Sequence, residues 1–189
     1  MPNNLLSREK QHLANLLEAI QRCVYFLNAS HGAIKWPLTG SVLMVRKKDT
    51  DLFEALAAIN ERFAKLQDTL GSAMRHSLLL SGEQADSFLK VLAIFEKNQV
   101  ISSVEDWQVA RTARNLAAHD YEINYADVAD HFNTLNTLTR NLYQTARRFV
   151  IYCESELGIC PRTLDFSEEF YLITKLDLLY FHRLGKTTL

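Results

Sequence analysis

The chain has 189 residues, 48% of them hydrophobic, and a formal net charge of -1. That length suits one domain with an appended element at most, and that apolar content excludes intrinsic disorder. With only 6 Gly and 3 Pro, a turn-rich β fold is excluded too. A charge this close to zero is not that of a general nucleic-acid binder, so any RNA contact has to be local. No apolar run is long enough to span a bilayer and the N-terminus has no signal-peptide pattern, so we expect a cytoplasmic protein with no membrane contact. Cys23, Cys153 and Cys160 are odd in number and irregularly spaced, which suits reduced thiols. No Cys-x-x-Cys or His-x-x-His accompanies them, so no metal site is expected. Without a Gly-rich phosphate loop, no nucleotide cofactor is expected either.

The helical elements follow in order. Leu13, Leu16, Leu17, Ile20, Val24 and Leu27 recur at helical spacing and predict a helix over about Ser7–Asn28. His31 to Gly40 breaks the pattern and reads as a loop, with Trp36 beside Pro37 as its anchor. Asp51, with Glu54 three residues later, is a capping box for a long helix reaching Leu80, where Ser81-Gly82 interrupts it. Its stripe is Leu52, Leu56, Ile59, Phe63, Leu66, Leu70 and Met74. Ser81 with Gln84 predicts the cap of the next helix, which carries Phe88, Val91, Leu92 and Phe95. Ser102 with Glu105 predicts the start of another, with Trp107, Ala110 and Ala113 inward. Asn124 with Asp127 starts the longest stripe, from Val128 to Val150, which Gly158 and Pro161 stop. A short last helix is expected over Ser167–Leu184. No segment alternates with period two. The fold class is therefore all-α, an antiparallel bundle of five or six helices, its long antiparallel pair being the helices around Phe63 and Leu138.

Against this background one octapeptide stands out, Arg114-Asn115-Leu116-Ala117-Ala118-His119-Asp120-Tyr121. In a straight helix Arg114 and His119 point about 140° apart. Arg111, Arg114 and Tyr121 share one stripe, Tyr121 drifting by about 20°. Either the helix loosens near His119, or a second copy of the motif completes the site across a two-fold axis. Such a set suits RNA cleavage. Arg114, supported by Arg111, can hold phosphate bidentately and stabilise transition-state charge. His119 can move protons at the ribose 2′-hydroxyl or the leaving oxygen, so no metal is required. Asn115 can orient phosphate or the imidazole, Asp120 can raise the pKa of His119, and Tyr121 can donate to phosphate or stack on a base. The same residues also suit an ordinary helix end, with Arg114 paired to Glu105, Asp106 or Asp120 on the surface. The remaining histidines lie on separate segments, and Arg147-Arg148 reads as a solvated helix face or an RNA-facing patch.

The pattern Arg-x4-His-x-Tyr, with Asn directly after the Arg, resembles that of HEPN-domain toxins of the HepT type. Two flanking stretches carry the resemblance further. Asn60-Glu61-Arg62-Phe63-Ala64-Lys65-Leu66-Gln67-Asp68-Thr69-Leu70-Gly71 is similar to the long helix that precedes the motif. Ser102-Ser103-Val104-Glu105-Asp106-Trp107-Gln108-Val109-Ala110-Arg111 is similar to the segment leading into it. The resemblance runs from about Asp51 to Val150. It divides the chain into an N-terminal helix and loop (1–46), a HEPN-like bundle (47–157) and a C-terminal helical extension packed on the same domain (158–189). It implies a homodimeric, metal-independent endoribonuclease with Arg114 and His119 catalytic at a dimer cleft. It also implies the toxin role of a toxin–antitoxin pair, whose antitoxin is an MNT-type nucleotidyltransferase that attaches AMP to the motif tyrosine, here Tyr121. The alternative is a non-catalytic helical companion of a nucleotidyltransferase, a substrate-binding-like subunit.

Overall fold

A computed structural model of the protein describes residues 2–83, 85–116 and 124–175. Within them run seven helices and no strand. They are α1 (Pro2–Gly32), α2 (Gly40–Val45), α3 (Thr50–Leu80), α4 (Phe88–Lys97), α5 (Val104–Leu116), α6 (Tyr125–Leu157) and α7 (Ser167–Thr174). The all-α bundle expected from the periodicity is what forms. Its extra member is α2, a short helix that the loop reading after Gly40 did not foresee, capped by Thr39 accepting from the Val42 amide. Ser81, expected to cap the next helix, instead ends α3, while Gln84, Leu176, Leu179, Tyr180 and His182 lie outside the described residues.

The longest helices form the frame. The apolar stripe of α1, Leu13, Leu17, Ile20, Val24 and Leu27, is fully buried and meets the stripe of α3. These two run antiparallel: the His76 ring donates to the Glu9 carbonyl at one end, and Arg62 donates to the Phe26 carbonyl and the Ser30 hydroxyl at the other. Helix α1 is also antiparallel to α6, since His31 meets Thr139 and the Arg162 amide reaches the Ala14 carbonyl. Helices α3 and α6 therefore run in the same sense. This corrects the expectation that they are the antiparallel pair; α1 is the partner of both, because a 31-residue helix at the N-terminus supplies the missing direction. Phe95 of α4 sits edge-on to Phe149 of α6, with centroids 5.6 Å apart, and closes the core. Phe170 of α7 is fully buried, so the first helix after Gly158 is part of the same body.

Local signals decide the helix ends, in some cases one residue or more from where they were expected. Asp49, not Asp51, caps α3 by accepting from the Leu52 amide at 3.0 Å. Ser103, not Ser102, caps α5 through the Asp106 amide at 2.9 Å. Ser87 caps α4. Asn124 caps α6 as expected and also holds Asp127. Gly158 ends α6 at φ 63°, a left-handed position that glycine adopts without strain. Trp36 does anchor the loop after α1, its indole donating to the His31 carbonyl at 3.1 Å.

Arg147 and Arg148 are half-buried struts, not the solvated face expected. Arg147 lies over the Tyr171 ring and donates to the Tyr171 carbonyl and the Thr174 hydroxyl. Arg148 donates to the Val100 carbonyl at 2.9 Å and the Ser102 hydroxyl at 3.1 Å. They tie α7 and the α4–α5 turn to α6. Among the described residues no helix is long and apolar enough to cross a membrane.

Candidate functional site

Helix α5 carries the described half of the motif. Trp107, Arg111 and Arg114 are spaced by four and three residues, so they share one face of α5. That face lies on α3. The Gln67 amide donates to the Trp107 carbonyl at 3.0 Å, and Arg114 reaches Ala64 and Asp68. The α5 face thus packs against the middle of α3, and a groove of about 290 Å³ lies along their contact. Arg75 and Asp68 line it from α3, Phe88 from α4, and Trp107, Arg111 and Arg114 from α5. Gly71 forms part of its floor. A Cβ there would meet the Phe88 ring at 3.0 Å, so the glycine lets that ring lie against α3.

The groove is cationic on balance, with three guanidiniums and one carboxylate. Arg114 is the most confined of them. Its side chain is only 12% exposed, and Nη1 donates to the Ala64 carbonyl at 2.9 Å and to Asp68 Oδ1 at 2.8 Å. Among the described residues its buried Nε has no hydrogen-bond partner, and neither does the buried Oε1 of Gln67. Arg114 also lies in the last turn of α5, where a cation suits the helix dipole. The surface pairing expected with Glu105 or Asp106 on its own helix does not form; among the described residues its carboxylate partner is Asp68, 46 residues away. Arg75 and Arg111 are exposed and make no ion pair with a described residue. Arg75 lies over the Phe88 ring at 5.4 Å. Asn115 is exposed on the last turn of α5. His119, Asp120 and Tyr121 lie outside the described residues.

Sequence reasoning therefore found Arg111 and Arg114 but missed Asp68, Arg75 and Phe88. Asp68 and Arg75 lie seven residues apart, on one face of α3, and that polar pair opposite a buried stripe was the available signal. A second cleft, between α5 and α6, has a volume of about 20 Å³, room for little more than one water molecule.

Burial perturbs titratable groups away from the groove. Burial pulls the His31 imidazole down to about 4, with Asn136 opposing in part. Burial pushes the Cys153 thiol up, which keeps it protonated and unreactive. All three cysteines are free. Among the described residues no group of three His, Cys, Asp or Glu side chains is placed to hold a metal ion. Compared with family models, with curated proteins and with solved structures, the chain has no match in any of the three.

Proposed function

We propose that the protein is a metal-independent endoribonuclease, with Arg114 and His119 as its catalytic pair and the toxin role in a pair with a nucleotidyltransferase antitoxin. The observation that supports this reading is the convergence of Arg75, Arg111 and Arg114 on one groove at the end of α5, five residues in sequence before the only histidine of the motif. A cluster of guanidiniums against a single carboxylate is suited to a phosphodiester and to the extra charge of its transition state. In the proposed reaction His119 takes the proton of the ribose 2′-hydroxyl as that oxygen attacks phosphorus. The bond from phosphorus to the 5′ oxygen breaks, and that oxygen leaves with a proton returned by a protonated His119 imidazole, of the same chain or of the second copy of the motif. The products are a 2′,3′-cyclic phosphate and a 5′-hydroxyl, with no redox change. Two chains related by a two-fold axis would bring both copies of the motif to one cleft. Tyr121, carrying AMP from the partner enzyme, would place an anion against Arg111 and Arg114 and block the groove.

One observation favours the second reading, a non-catalytic companion of a nucleotidyltransferase. Arg114 is already occupied by Asp68 and the Ala64 carbonyl, as a structural strut would be. Expression of the chain without a partner separates the two. The ribonuclease reading expects growth arrest, RNA fragments with cyclic-phosphate ends in the presence of chelator, and loss of both in His119→Ala. Intact RNA and normal growth with the wild-type chain would refute it. Intact-mass measurement after co-expression with the nucleotidyltransferase tests the modification of Tyr121, which Tyr121→Phe should abolish.

A further inference from the structure

We propose that the groove between α3 and α5 is a nucleotide subsite, in which one phosphate of a single-stranded RNA lies between Arg75 and Arg111 and the adjoining base stacks on the Arg75–Phe88 shelf. The inference rests on the ribonuclease reading for the source of the nucleotide, an RNA strand; the groove's affinity for a nucleotide phosphate does not depend on cleavage.

Three features carry it. First, the charges are unequally committed. Asp68 is neutralised by Arg114 at 2.8 Å, which leaves Arg75 and Arg111 as two exposed guanidiniums without a carboxylate among the described residues. They stand on opposite walls, one on α3 and one on α5, so an anion between them is reached from both sides. Second, the planar groups are already arranged as a shelf. Phe88 is half-buried against Gly71, and the guanidinium of the exposed Arg75 lies over its ring at 5.4 Å. Unpaired bases stack on such guanidinium planes as they do on aromatic rings. Third, the volume of about 290 Å³ is at the lower end of small-molecule sites, roughly 300 Å³ and upward, which fits one nucleotide and not a duplex. Arg114, held by α3, then acts from the floor of the groove, while the strand is gripped at its rim.

The test uses the full chain carrying His119→Ala, so that binding is measured without cleavage. The probes are a labelled five-nucleotide single-stranded RNA, AMP and inorganic phosphate, followed by anisotropy or calorimetry. Arg75→Ala and Arg111→Ala are each expected to weaken RNA binding about tenfold, and each to reduce the slope of log Kd against log salt by about 0.7. Arg75→Lys keeps the charge and loses the plane, so it should weaken RNA and AMP several-fold and leave phosphate unchanged. Lys48→Ala, in the turn before α3, should change nothing. Circular dichroism checks that the exposed substitutions leave the helices intact. Wild-type RNA affinity in both Arg variants, AMP binding no tighter than phosphate, or an equal loss in Lys48→Ala would each overturn the proposal. RNA held in the groove of a chain whose wild type cuts nothing would sink the ribonuclease reading and leave the subsite standing. Cleavage that ignores Arg75 and Arg111 would do the reverse.

Discussion

Replacing Arg114 by Ala should cost stability as well as any activity, and the structure sets the size of the effect. The substitution removes one charge-assisted bond to the Ala64 carbonyl and one ion pair to Asp68. The first is the larger, because bonds from charged groups contribute about 1.5–3 kcal/mol. The second adds at most about 1 kcal/mol, because the Asp68 carboxylate is 65% exposed and screened by solvent. Ala64 lies inside α3, so its carbonyl keeps its helical bond and no buried acceptor is orphaned. The sum is about 1.5–4 kcal/mol, which for a chain of this length lowers Tm by roughly 3–16 °C. Urea unfolding followed by circular dichroism at 222 nm measures it. Asp68→Asn should cost less than about 1 kcal/mol, and the double variant little more than Arg114→Ala alone, since the two groups share one interaction. An Arg114→Ala chain within about 0.5 kcal/mol of wild type, the range of ordinary surface substitutions, would show that Arg114 does not bridge to α3 in solution.

Three further outcomes are expected. His31 has its pKa lowered to about 4 by burial, so the fold favours the neutral ring; its contribution is fully present above the unfolded value of about 6.5, and stability falls as pH drops from there to about 4, by up to about 3 kcal/mol. His31→Asn should flatten that part of the pH–stability curve, and an unchanged slope would refute the assignment. Gly40→Ala should destabilise by about 1–3 kcal/mol, because its Cβ would lie 2.9 Å from backbone atoms of Ala126 and either α2 or the start of α6 would have to move; an unchanged Tm would show that the two helices do not meet there. Arg148→Ala should cost about 2 kcal/mol through its lost bonds to Val100 and Ser102 without altering RNA binding, and weaker RNA binding in a folded variant would restore the patch reading.

The helices themselves were legible in the chain because each is long enough to repeat an apolar stripe several times, and that repetition is local. Caps were legible where one candidate stood alone, as at Asn124 and Gly158. They were misplaced where several stood close together: Asp49 and Asp51, Ser81 and Ser87, Ser102 and Ser103 all satisfy the same chemistry. Which one caps depends on where the helix is held by its neighbours. Arg147 and Arg148 read as surface for a related reason. A long basic side chain can bury its stem and aim its head at a distant carbonyl, and nothing in its own segment names that carbonyl.

The sequence by itself determined the fold class, the approximate elements and the position of Arg111, Arg114 and Asn115 at the end of a helix. These depend on periodicity and on residues within a few positions of one another. Tertiary structure alone decided the direction of the frame, with α1 antiparallel to both α3 and α6. It alone paired Arg114 with Asp68 across 46 residues, and set Arg75 and Phe88 opposite Arg111. Packing one helix face on another brings together residues with no proximity in the chain. The groove is a property of two faces meeting, and neither face carries a mark of the other.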